Sequence, residues 1–150
     1  MADAISRRAV DSLHMDERKP ASRAGRPSLR RTPVEVQIHS DTVGILTLRG
    51  EHDLSTARAI GVALATEARL NILIDLSGAT FIDLSVINAI LRSAQDNAGS
   101  IELVATSPSV PHRMLELTGI HRLLRVHQDI AAGLASMDAC ARSGVGDVQA

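Results

Sequence analysis

Asp83 and Ser85 are the residues of this 150-residue chain whose types and spacing come closest to a chemical device. Ser85 follows a short apolar run and opens an amphipathic stretch, so it sits where a helix N-cap belongs, with Asn88 three residues on as a partial capping-box match. A hydroxyl held there, beside a carboxylate, faces amides that lack intrahelical partners and the positive end of the helix dipole. As a nucleophile Ser85 would need a positioned base, and His52 is the one histidine expected on the same edge of the fold. Asp53, ahead of the preceding helix, is a second candidate cap. On spacing alone, each of these residues is most simply a helix cap.

Other chemistries lack their residues. The chain contains no GxGxxG, no phosphate-loop lysine motif, no GxSxG and no HExxH. Its six histidines are scattered, none paired with another at helical ligand spacing, and the lone Cys140 excludes an internal disulfide or a multi-cysteine metal site. With no Trp, no Tyr and the single Phe81, a stacking platform for single-stranded nucleic acid is missing. No cofactor, no metal, no membrane and no direct nucleic-acid partner are expected. No apolar run reaches transmembrane length, and the start lacks a secretory signal, so a cytoplasmic location is expected. The net charge of −1 hides an asymmetry: before Pro33, eight basic residues face four acidic ones. That basic arm is most simply solvated.

The elements that must position Asp83 and Ser85 follow from periodicity. Val34, Val36 and Ile38 alternate with polar residues, and Val43 to Leu48 continues beyond a Ser-Asp-Thr turn, which predicts a hairpin. Gly50 to Asp53 reads as a loop. Ala57, Ile60, Gly61, Leu64 and Ala68 form a helical stripe after it. Ile72-Leu73-Ile74 is a continuous apolar run suited to a strand buried on both faces. Asp75 to Thr80 turns, with Gly78 the expected positive-φ residue, and Phe81-Ile82 returns to the apolar interior. Ile87, Ile90, Leu91 and Ala94 make one face of the next helix. Ile101 to Ala105 is a further strand, Ser107 to Gly119 a third helix with a glycine stop, and Leu123 to Val126 a last short strand. Ile130, Leu134 and Met137 mark a final helix, weakened by Gly133. The expected fold is α/β: one small, mainly parallel sheet of about five strands with an antiparallel edge, and about four helices. Residues 1–33 are expected to be a disordered basic tail, 34–139 the domain, and 140–150 a flexible end. Loops leaving parallel strands emerge on one edge, so Asp53, Asp83, Ser85 and Ser107 to Ser109 should share a rim.

The GEHDLSTA loop, the DLSGATFIDLSVINAIL stretch and the SPSVPHRMLELTGI segment, in that order, resemble the bacterial anti-sigma factor antagonists of the STAS domain family, over Val34 to about Met137. The resemblance implies a non-enzymatic protein that binds an anti-sigma factor, itself a serine kinase, and so frees a sigma factor. It further implies that the kinase phosphorylates Ser85 to switch the antagonist off, and that a serine phosphatase restores it. Phe81, Asp83 and Ser85 match the family's aromatic, acid and phosphorylated serine, and Asp53 matches the acid of its GExD loop. Leu84 stands in place of a hydroxyl residue and Val86 in place of a glycine. The partner surface is expected to comprise Asp53, Asp83, Leu84, Ser85, Val86, Ser107 and Ser109. The alternative is a STAS-type scaffold or ligand-binding domain without a phosphorylation switch.

Overall fold

The computed structural model describes residues 34–144; the expected basic tail before Val34, and residues 145–150, lie outside the described residues. A five-stranded sheet forms the centre. Its strands are β1 (Val36–Ile38), β2 (Val43–Thr47), β4 (Asn71–Asp75), β6 (Ile101–Val104) and β7 (Val126–His127), side by side in that order. β1 runs antiparallel to β2, and every other neighbour pair is parallel. The parallel strands need crossovers, supplied by α1 (Leu54–Thr66), α2 (Leu84–Asp96) and α3 (Val110–Thr118). A last helix, α4 (Ile130–Gly144), runs past the boundary expected at residue 139.

Ile72, Leu73 and Ile74 are all fully buried, because β4 is covered on both faces. On one face, Leu46, Ile72, Ile74 and Leu103 pack against Ile60, Leu64, Ile87, Ile90 and Leu115 of the crossover helices. On the other, Val43, Leu73 and Val104 meet Met137 of α4. Gly133 has a packing reason there. A Cβ at that position would stand 2.7 Å from Leu73 Cδ1, so the bare backbone lets α4 lie close to the sheet.

Two expectations require correction. The stretch from Gly50 is not simply a loop: β3 (Gly50–His52) pairs in parallel with β5 (Ala79–Ile82) as a separate two-stranded ribbon. The ribbon continues from the sheet through hydrogen bonds from Leu48 N–H to the Asp75 carbonyl (2.9 Å) and from Gly50 N–H to the Gly78 carbonyl (3.0 Å). The positive φ of this region falls on Gly50, at 76°, where the pairing of β3 with β5 shifts register, and not on Gly78. The ribbon matters for function, since both of its strands end at helix starts.

Candidate functional site

β5 delivers Asp83 to the start of α2, and Asp83, not Ser85, is the N-cap. Its backbone is extended, and its Oδ1 accepts hydrogen bonds from the amides of Ser85 (3.0 Å) and Val86 (3.1 Å) and from the Ser85 hydroxyl. Ser85 is therefore the second helical residue. Asn88 makes no cap hydrogen bond with the described residues. The Ser85 hydroxyl bond holds the Asp83 carboxyl below the usual carboxylate range; the two amides add to this, against partial desolvation and the nearby charge of Asp53.

β3 delivers Asp53 to the start of α1 in the same manner. Asp53 Oδ1 accepts from the Ser55 amide (2.8 Å) and hydroxyl (2.6 Å), and the Asp53 amide donates to Thr56 Oγ1 (3.1 Å), closing a capping box. A third copy follows β4, where the Ser77 amide (2.9 Å) and hydroxyl (2.6 Å) donate to Asp75 Oδ1. Asp-Leu-Ser thus occurs three times with one local geometry, a repetition readable in the sequence itself.

The leucine of each helix-opening tripeptide points away from the core: Leu54 is 74% exposed and Leu84 59%. Phe81, expected inside, is 45% exposed, while its neighbour Ile82 is fully buried. Leu54 was missing from the expected surface, although its place after a capping aspartate was the signal for it. Val86 is the opposite case. It was expected on the partner-facing rim, but it is fully buried and packs into the core with Ile87 and Ile90. With the cap at Asp83, Val86 occupies the third helical position, on the inward face, so its β-branched side chain leaves the rim unobstructed.

Ser85 is half-buried and lines an open groove of about 620 Å³ between α1 and α2. Leu54, Ala57, Arg58 and Gly61 form one wall, and Ser85, Ala89 and Arg92 the other. Asp53 and Asp83 lie near enough for their charges to interact. Ser107 and Ser109 sit in the loop that leaves β6, and both are engaged locally. The Ser107 amide donates to Gln128 Oε1 (2.9 Å), and Ser109 caps α3 by accepting from the His112 amide (3.2 Å). His52 does not serve Ser85. It is 7% exposed, and its Nε2–H donates to the Arg49 carbonyl (3.0 Å), which leaves Nδ1 buried without a partner.

Among the described residues, no helix is long and apolar enough to cross a membrane, and no group of three His, Cys, Asp or Glu could hold a metal ion. Residues 34–133 match the family model of the STAS domain. No curated protein is significantly similar in sequence. Among solved structures, the chain is similar to an anti-sigma factor antagonist from Mycobacterium paratuberculosis, with 22% identity, a TM-score of 0.60, and coverage of 69% of this chain and 91% of that one. It is similar to an anti-sigma-factor antagonist (STAS) domain protein from Planctomyces limnophilus, at 18% identity and TM-score 0.60, over 71% of this chain and 99% of that one. It also resembles the phosphorylated form of the Bacillus cell fate determinant SpoIIAA, at 17% identity and TM-score 0.52, over 65% and 94% of the two chains. At these identities the likeness is one of fold.

Proposed function

This chain belongs to the STAS domain family, and on that footing we propose that it acts as an anti-sigma factor antagonist. In this reading it binds an anti-sigma factor that is also a serine kinase, in the cytoplasm, and so frees a sigma factor for transcription. Phosphorylation of Ser85 ends the interaction, and a serine phosphatase restores it. The protein is a regulator and not an enzyme. His52 is committed to the Arg49 carbonyl and not to Ser85.

The observation that carries the proposal is the setting of the Ser85 hydroxyl. It stands half-exposed on an open groove, in the same turn as the exposed Leu84 and on the same groove as the exposed Leu54. Those leucines offer apolar contact to a partner of the unmodified form. A phosphoryl group would bring about −1.5 to −2 charges to that place. The first turn of a helix tolerates it, so the interior stays intact and the docking surface changes. At roughly 6 Å and an effective dielectric near 20, each repelling pair of unit charges costs about 3 kcal/mol. That corresponds to roughly a hundredfold loss of affinity.

The test is calorimetric titration with the anti-sigma factor of the same organism. Ser85→Asp should weaken binding by roughly a hundredfold, while Ser85→Ala should bind as the wild type does. Equal affinities of the two variants would overturn the switch. Leu84, in place of a hydroxyl residue, favours a second reading, a scaffold or ligand-binding STAS domain with no switch; a stable complex whose partner never phosphorylates Ser85 would select it.

A further inference from the structure

Two arginines line the groove between α1 and α2. Arg58 lines it from α1 and Arg92 from α2, and neither forms a hydrogen bond or ion pair with another described residue. The acids at its mouth are engaged otherwise: Asp53 and Asp83 cap the two helices. Asp96, the one acid among the described residues that line the groove, lies in the last turn of α2, at the far end from Ser85.

Position along the helices separates the two arginines. Ser85 and Leu54, both in first turns, mark the mouth. Arg92 comes seven residues after Ser85, about 10 Å further along the axis. Arg58 comes one turn after Leu54, and helical side chains lean toward the N-terminus, which carries its guanidinium back toward the mouth.

We infer that Arg58 is the counter-charge for a phosphoryl group on Ser85, drawing the modified side chain into the groove between α1 and α2. This rests on the reading of Ser85 as the modified residue. In the transfer, Ser85 Oγ bonds to the terminal phosphorus of a nucleoside triphosphate, the bond to the departing nucleoside diphosphate breaks, and the hydroxyl proton passes to solvent. Oγ then has no proton to donate to Asp83, and the phosphate oxygens face the carboxylates of Asp83 and Asp53. Like charges turn the group away from the caps and into the groove. There the planar fork of Arg58 matches two phosphate oxygens, in a charge-assisted pair stronger than a neutral one. The modified form thereby fills the mouth of the groove and withdraws its cation from any partner.

The test places phosphoserine at position 85 of the full chain by genetic encoding and follows the second ionisation of the phosphate by 31P NMR. The phosphate should titrate about one pH unit lower in the wild type than in Arg58→Gln, because a cation within hydrogen-bond reach favours the dianion. Arg58→Lys should recover part of that shift, and Arg92→Gln should leave the midpoint near the wild-type value. The charged or titratable neighbours among the described residues are Arg58 on α1 and its cap Asp53, Arg92 and Asp96 on α2 and its cap Asp83, His52 on β3, and Glu35 and Glu67, which line a second groove together with Arg58. His52 is turned to the Arg49 carbonyl. An Arg58→Gln protein that titrates with the wild type, or a larger shift from Arg92→Gln, would overturn the assignment. The readout needs neither kinase nor partner. A partner that binds the modified and unmodified chains equally well overturns the switch, and the Arg58 result stands separately.

Discussion

Asp83 does two jobs with one oxygen: it caps α2 and it fixes the Ser85 hydroxyl. Asp83→Ala should therefore lower stability by about 1 kcal/mol, the usual cost of losing an N-cap, read as a lower urea midpoint at neutral pH. The folded-state ionisation of Asp83 is depressed. Its contribution is then complete above the ordinary carboxylate range and is lost as pH falls through the depressed folded value. The gap between wild type and Asp83→Ala should narrow over that acid interval, in urea titrations repeated at stepwise lower pH. Asp53 and Asp83 were legible as acids ahead of helices because carboxylates there meet free amides. The inward aim of Val86 was not, because the cap was placed at Ser85, two residues late. A cap at Ser85 would make Val86 the first helical residue, whereas the cap at Asp83 makes it the third, buried with Ile87 and Ile90.

Among the elements, β4 announced itself, since three consecutive apolar residues between polar ends suit a strand covered on both faces. The ribbon of β3 and β5 did not. Its strands are three and four residues long, and Gly50-Glu51-His52 has the composition of a turn; only pairing with a distant segment makes it a strand. The last turn of α4 falls within the flexible end expected from residue 140, yet Ala141 is a strong helix former and the helix continues to Gly144. Gly133 looked like a weakness within that helix, and for isolated helices a glycine is one. Here it sets the distance between helix and sheet. Gly133→Val should drive a branched side chain into Leu73 and destabilise the fold by about 1–3 kcal/mol, as overpacking does. Thermal unfolding should show it as a lowered midpoint, and Gly133→Ala should fall between that variant and the wild type.

At the scale of the whole molecule, the order of apolar runs already implied a hairpin followed by alternating helices and strands, and hence a mainly parallel sheet. The family match covers residues 34–133, and the second face of the core includes Met137 of the last helix. A chain trimmed to residues 34–144 should melt within about 2 °C of the full chain, a difference of under 1 kcal/mol for a domain of this size. Asp-Leu-Ser, with one hydrogen-bond geometry at Asp53, Asp75 and Asp83, has a consequence for any modifying enzyme. Three identical addresses in a chain this short cannot be told apart by a reader of tripeptides. Discrimination among them has to come from the neighbourhood: the groove between the two helices beside Ser85, a different groove with Glu35 beside Ser55, a buried leucine before Ser77. A short synthetic copy of the segment around Ser85 would carry the letters and lack the street.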